Sequence, residues 1–522
     1  MPQFVVPTDA DLNDLERRLI DGLALEEDHE TLTERSWTDT FDWRLDRAGL
    51  RLVAEPHDGR LLLSCTPTKS ADGAGEVRLR LNDLPRFAWD LPQSELRQTI
   101  EAAVAMRALL PRVMVRSTAR TLAQRDGNGK IVVRLVIETP SVITPQGELP
   151  MAPQIQVVPL KGYGKATKRA TRFIRQKLGL SRSRQDEVTV ACGLLGLTIG
   201  AYSSKLDLAI DPTVRADEAT KQVCRRLLEI IEANQDGTCQ QIDTEFLHDF
   251  RVAIRRTRSA LARVRGVFPS PTVARFQREL RWVGQVTGPA RDLDVYLLQI
   301  DQLQKIVPEP MQPHLAPLRP WLETKHAEAY RDLVTAVGSP RYQKLLADWR
   351  TFIEAPVPKR STLPNAQRPI VKVASEEIWR AYRRALDDGG AISDQSPSAE
   401  LHKLRKTCKK LRYLLEFFRS LFPPTAMTQL IGALKVLQAN LGEIQDLEVQ
   451  ADFIAAMSEP LQREESAATL MAIGVLVDQL RRRQAARIAE FAIVFAAFAD
   501  QGNRKLARKL FKPKKAAGRR PS

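Results

Sequence analysis

Cysteine is scarce in this chain. Its 522 residues include five, Cys65, Cys192, Cys224, Cys239 and Cys408, odd in number, scattered and without a Cys-x-x-Cys spacing. That argues against both a disulfide framework and a thiolate zinc site. Aromatic residues make up only 6%, which leaves no evident platform on which nucleic-acid bases could stack. Long apolar runs are missing too: no window approaches the roughly 18 uninterrupted apolar residues of a membrane span, and the most apolar stretch, residues 491–498, is far shorter. The opening Met1-Pro2-Gln3-Phe4-Val5-Val6-Pro7 lacks the basic segment and apolar core of a secretory leader. The expectation is a cytoplasmic protein with no membrane partner.

Charge of one sign is in modest excess. Lys and Arg outnumber Asp and Glu by 79 to 63, a formal charge of +16. Such a surplus fits a polyanionic partner without requiring one, so its location matters more than its size. Arg504, Lys505, Arg508, Lys509, Lys512, Lys514, Lys515, Arg519 and Arg520 lie in the last 22 residues with no acid among them. Residues 501–522 read as a basic, disordered tail.

Two kinds of patterning divide the rest, and 43% hydrophobic content is enough for two cores. Residues 1–205 alternate short strand-like runs (61–63, 77–81, 131–137, 154–160) with turn signals. Examples are His57-Asp58-Gly59, Ala71-Asp72-Gly73 and Asp126-Gly127-Asn128-Gly129, the last a hairpin turn in which Gly and Asn supply positive φ. Helical patterns at 94–109 and, strongly basic, at 165–178 interrupt them. The expectation is α+β: an antiparallel barrel with peripheral helices. From residue 211 onward, apolar residues recur at i, i+3, i+4 and i+7, notably over 216–233, 247–264, 401–415 and 467–496, so this half reads as helical bundles. Residues 354–369, with four prolines, and 387–397 read as linkers.

The helical half repeats itself. Leu247-His248-Asp249-Phe250-Arg251 answers Leu401-His402-Lys403-Leu404-Arg405 at an offset of 154. At the same offset Arg255 and Arg256 meet Lys409 and Lys410, Arg258 meets Arg412, Arg281 meets Lys435, Gly288 meets Gly442, and Asp292-Leu293-Asp294-Val295 meets Asp446-Leu447-Glu448-Val449. A tandem duplication, with repeats at about 211–350 and 370–500, predicts two four-helix bundles related by a pseudo-two-fold axis. At about 100° per residue, His248, Arg251, Arg255 and Arg258 share an arc of about 80°, and His402, Arg405, Lys409 and Arg412 do the same. Like charges so placed repel by a few tenths of a kcal/mol per pair. Acids such as Asp292, Asp294, Asp446 and Glu448 could compensate, as could a multivalent anion. Because the spacing is kept in two copies, anion binding is the better reading. Neither histidine has a ligand-type neighbour at i+3 or i+4, so a metal site is disfavoured. A histidine heading an Arg/Lys stripe suits phosphate as a hydrogen-bond donor, with a bound anion raising its pKa.

The repeated Leu-His-x-x-Arg-x-x-x-basic-basic-x-Arg, followed by Arg291-Asp292-Leu293-Asp294-Val295, resembles the CHAD domain, over about 211–500. The resemblance implies a basic cavity that binds inorganic polyphosphate. Its positions here are His248, Arg251, Arg255, Arg256 and Arg258, and His402, Arg405, Lys409, Lys410 and Arg412, with Arg281 and Lys435 extending the groove. It implies no resident cofactor, though the paired acids could hold a divalent cation against phosphate. Association with polyphosphate granules would follow.

The first half resembles the CYTH triphosphate-tunnel family at Trp37-Thr38-Asp39-Thr40-Phe41-Asp42-Trp43-Arg44-Leu45, at Ala48-Gly49-Leu50, and at Pro159-Leu160-Lys161-Gly162. That family's opening Glu-x-Glu-x-Lys is absent: the strand reads Gln3-Phe4-Val5-Val6-Pro7. Only Arg51 of two alternate arginines is kept, and Glu76 is the lone acid beside Val77-Arg78-Leu79-Arg80. Without carboxylates to hold Mg²⁺ or Mn²⁺ the domain is expected to be inactive. Arg51, Lys69, Arg78, Arg80, Arg116 and Arg120 could still meet phosphate, though charges on exposed strands are the plainer reading. Two competing functions are a metal-dependent triphosphatase and, ranked lower, a nucleic-acid-binding protein.

Overall fold

The structure is a computed structural model and describes residues 2–68, 75–183, 186–393, 395–461 and 466–513. Lys69, the expected turn at Ala71-Asp72-Gly73, and Lys514, Lys515, Arg519 and Arg520 lie outside them. The chain divides into two compact units, residues 1–203 and 204–522.

The first unit is built on one antiparallel sheet. Its strands are β1 (Gln3–Val5), β2 (Glu26–Asp39), β3 (Leu50–His57), β4 (Arg60–Pro67), β5 (Val77–Leu81), β6 (Leu110–Arg125), β7 (Ile131–Thr144), β8 (Gly147–Pro150), β9 (Gln154–Pro159) and β10 (Ser181–Arg182). They run in the order β10-β1-β9-β7-β6-β2-β3-β4-β5, with β8 added to β7. The ends do not meet, so the expected barrel is an open sheet. One edge strand has two residues and the other five. The hairpin at 126–129 forms, with Asp126 Oδ1 accepting from Asn128 N and Lys130 N, both at 3.0 Å. Gly129 alone takes positive φ there, at 75°. Helices α1 (Leu12–Leu23), α2 (Arg44–Arg47), α3 (Glu95–Val104), α4 (Gly164–Gln176) and α5 (Glu187–Leu194) flank the sheet. The α1 and α4 helices bury Leu15, Leu19 and Ile174 against Leu135 and Val157.

The motif at 37–45 is a structural knot. Asp39, 5% exposed, accepts from the backbone N–H of Thr40 (2.6 Å), Leu45 (2.9 Å) and Asp46 (2.9 Å). Those bonds hold the chain where Trp43 sits at φ 57°, and Asp42 lies 3.5 Å from the fully buried Arg107. Replacing Asp39 by Ala leaves three donors without that acceptor. The expected loss is about 2–4 kcal/mol, read as a lower denaturation midpoint at unchanged m.

The second unit is all helical: α6 (Ala216–Cys239), α7 (Thr244–Arg263), α8 (Ser270–Val286), α9 (Gly288–Gln304), α10 (Leu318–Val337), α11 (Pro340–Glu354), α12 (Ile370–Gly390), α13 (Ser398–Phe417), α14 (Pro424–Leu461), α15 (Ala467–Phe498) and α16 (Gln501–Phe511). The repeat is visible in the pairing, since α6 packs on α7 as α12 packs on α13, and α7 on α8 as α13 on α14. One long α14 replaces the broken α8–α9 because Pro289, which cannot donate to a preceding carbonyl, stands where the second copy has Glu443. The cores are shared between repeats. One joins α6, α7, α8 and α11 to α12, α13, α14 and α16 through residues such as Phe250, Trp349, Leu411 and Leu434. The other joins α9 and α10 to α14 and α15 through Tyr296, Leu322, Ile454 and Leu476.

Two expected irregular regions are ordered helix. Asp387-Asp388-Gly389-Gly390 completes α12: Gly389 lies under Phe495, where a Cβ would come within 2.1 Å of the ring, and Asp388 accepts from Thr407 Oγ1 at 2.8 Å. Residues 501–511 are α16 rather than tail. Asp500 caps its start, and Phe511 is buried edge-on against Phe422 at 4.9 Å. The apolar stripe Leu506, Ala507, Leu510 and Phe511 was masked by the surrounding charge. The linker at 354–369 is tied down as well, since the Ala216 and Asp217 N–H groups donate to Arg368 and Ala366.

Candidate anion site

The apolar faces of α7 and α13 enter the shared core, which brings one flank of each basic stripe to a common cleft. Its volume is about 340 Å³, and its walls include His248, Arg255 and Arg256 from the first repeat and Arg405, Lys409 and Arg412 from the second. Lys205 joins them, making six Lys and Arg side chains, and Asp249 and Glu416 are the only carboxylates in that lining.

Arg256, Arg412 and Arg405 have carboxylate partners, whereas Arg255 and Lys409 have none among the described residues. Glu416 bridges the repeats, taking Arg256 Nη2 at 2.9 Å and Arg412 Nε at 2.7 Å. Arg256 Nη1 also donates to Ser204 O at 3.0 Å. Arg255 Nε donates to the Tyr413 hydroxyl at 2.6 Å, a contact without charge compensation. Arg405 meets Asp446 at 3.1 Å. Lys409 has no hydrogen-bond or ion-pair partner among the described residues. Burial first, then Arg405 and Arg255, push its pKa down to about 8. His248 is also pushed down, by burial and then by Arg291. Three buried donors at the cleft, Arg256 Nε, Arg405 Nε and Gln438 Nε2, find no acceptor among the described residues. Each such orphan costs about 1–3 kcal/mol unless something supplies an acceptor.

The remaining expected positions lie elsewhere. Arg251 turns away from the cleft and donates to Gly284 O (2.9 Å) and Thr287 Oγ1 (2.7 Å), pinning the α8–α9 break. Its partner in the repeat, Arg405, stays in the cleft, so the duplication is not symmetric here. Arg251→Met is expected to lower stability by about 1–3 kcal/mol and to affect anion affinity far less than substitutions at Arg255 or Lys409. Thermal unfolding and titration of the same sample would check both. Arg258 is half-buried beside Arg281, which adds to burial in lowering its pKa. Arg281 and Lys435 are exposed on α8 and α14. His402 Nδ1 is held by Gln445 Oε1. Lys410 sits on the other flank of α13, near Arg263, Arg384 and Lys406.

The paired acids also differ in role. Asp294 is buried and accepts from His326 Nε2 (2.9 Å) and Tyr330 OH (3.2 Å), and Glu448 accepts from Ser398 Oγ at 2.7 Å. Among the described residues no group of three or more His, Cys, Asp or Glu could hold a metal ion. In the first unit, Arg51, Arg78, Arg116 and Arg120 all pair with carboxylates: Asp186, Glu76, Glu34 and Glu30.

Sequence reasoning missed Glu416, Tyr413, Gln438 and Lys205. At the repeat offset the first three meet Ala262, Ser259 and Gly284, so a search for repeated residues passes over them. The Arg412/Glu416 spacing of i, i+4 was the available signal.

Residues 222–455 match the family model of the CHAD domain. Two uncharacterised proteins of Mycobacterium tuberculosis, from different strains, are each 25% identical over 268 residues. The match covers 50% of this chain and 49% of theirs, so the chain spans about half the length of the curated relatives it matches. Among solved structures, the CHAD domain from the plant Ricinus communis is 24% identical, with 57% of this chain and 96% of that one covered at a TM-score of 0.48. PptA from Streptomyces chartreusis is 17% identical, covering 55% and 100% at a TM-score of 0.44. No helix of the described residues is long and apolar enough to cross a membrane.

Proposed function

From a chain that carries a CHAD domain over residues 222–455, we propose a polyanion-binding protein whose ligand is inorganic polyphosphate, held in the α7–α13 cleft. One observation carries this reading. Two copies of a basic stripe converge on one cleft where six cations face two carboxylates. Phosphate oxygens supply what is missing, both negative charge and multiple acceptors in the planar geometry that guanidinium groups match. A linear polyphosphate repeats that chemistry along its length, so it can engage both stripes at once. Association with polyphosphate granules follows from the same binding.

The direct test is competition on the full chain between polyphosphate and duplex DNA of equal charge, at physiological salt. Preferential retention of polyphosphate, falling steeply as salt rises because counterions are released, is the expected result. Preference for DNA would overturn the reading.

A further inference from the structure

The first unit carries its own concentration of positive charge. From residue 149 to residue 185 the sequence has no Asp or Glu and nine Lys or Arg. Five of these, Lys165, Lys168, Arg169, Arg172 and Arg175, lie on α4, all exposed. At about 100° per residue they occupy an arc of about 120° on one face. None has a hydrogen-bond or ion-pair partner among the described residues. Several arginines of the same unit's sheet differ from these: Arg35, Arg51, Arg116 and Arg120 each lie within 4.0 Å of a carboxylate. The α4 face thus presents five neighbouring cations without partners among the described residues.

The helix is not arranged for its own stability. It has no acid in its first turn and no side-chain cap at its start. Lys165 sits at the end where the helix dipole disfavours a cation, and the i, i+3 and i, i+4 neighbours repel. A polyanion would relieve all of this.

The opposite face narrows the choice of partner. Ala170 and Ile174 are buried in the core, and Ala166 and Phe173 pack against it, with Phe173 over Gly22. No apolar face is left to enter a lipid surface. The cationic face itself carries no aromatic residue on which single-stranded bases could stack. It is also a single convex helix. A flexible chain can follow it along its length, whereas a rigid duplex would touch it at a few phosphates only.

We propose that the basic face of α4 is a second polyphosphate-docking surface, separate from the cleft, which takes up the part of a long chain that the cleft does not hold. The choice of polyphosphate over other linear anions rests on the reading of the cleft; the presence of a docking surface does not. Two weak sites on one flexible ligand act through effective concentration, so the gain appears only with chains long enough to reach both.

The test uses the full chain with Lys165, Lys168, Arg169, Arg172 and Arg175 all changed to Gln, titrated with long-chain polyphosphate and with tripolyphosphate. Long-chain affinity is expected to fall by about 10- to 100-fold, with a shallower salt dependence and unchanged tripolyphosphate affinity. The Lys165→Arg/Lys168→Arg variant, which keeps the charge, should bind as the unaltered protein does. Should the five-fold variant fail to fold, Lys168→Gln/Arg172→Gln gives the same comparison with a smaller drop. Unchanged long-chain affinity overturns the proposal. So does loss of duplex-DNA binding with polyphosphate retention intact. A cleft variant that binds normally beside an α4 variant that does not would refute the cleft reading and leave the α4 surface standing.

Discussion

Changing Arg255, Arg405 and Lys409 together to Gln is expected to reduce polyphosphate affinity by at least about a thousandfold without unfolding the protein. Each charge-assisted contact to a phosphate oxygen is worth about 1.5–3 kcal/mol, and three are removed from a cleft whose other arginines are already shared with Glu416. The fold should survive because the bonds lost are few: Arg255 with Tyr413 and Arg405 with Asp446. Arg256 and Arg251 are left alone for the opposite reason, since one is tied to Glu416 and Ser204 and the other to the α8–α9 break. Titration by calorimetry and thermal unfolding of the same variant read the two effects separately. Affinity within a factor of three of the unaltered protein would refute the assignment of the cleft.

The helical half was legible because duplication acts as an internal control. A charge that recurs at the offset of 154 residues is held by something, and the 3.6-residue period then assigns it to a face. Six of the twelve positions singled out do meet in the cleft: His248, Arg255, Arg256, Arg405, Lys409 and Arg412. Periodicity cannot tell which way a long side chain turns. Arg251 and Arg405 occupy equivalent turns, yet one reaches the backbone at Gly284 and the other the cleft. The shared core was hidden for a related reason, because an apolar stripe does not say which helix covers it. In the first half the strands and the hairpin were readable from alternation and turn residues, but whether the two edges of a sheet meet is a long-range property, and the two residues of β10 leave no local signal. At the C-terminus the count of basic residues drew attention away from the apolar spacing that makes α16.

Binding is expected to be proton-linked, with Lys409 as the group responsible. Its pKa in the ligand-free protein is about 8, lowered by burial and then by Arg405 and Arg255. A phosphate oxygen beside it stabilises the ammonium and raises that value. The contribution of Lys409 to affinity is therefore complete below pH 8 and is lost as pH rises through the pKa of the bound state. Between those limits the complex takes up a proton, and the logarithm of the affinity falls by up to about one per pH unit. Interior phosphates of the chain are strong acids and do not titrate in this window. The Lys409→Arg variant, always charged, should flatten the profile between about pH 7 and 9 (about one unit either side of the Lys409 value) while still binding. Stability runs the other way. Because the folded-state pKa lies below that of the unfolded chain, the charged lysine destabilises the fold most below pH 8, and the penalty fades as pH rises toward the unfolded value. Lys409→Met should thus raise Tm by about 2–4 °C at neutral pH, with the gain shrinking in alkali, and should weaken polyphosphate binding at every pH below 8. A pH-independent affinity in the unaltered protein, or the same slope in Lys409→Arg, would remove Lys409 from the site.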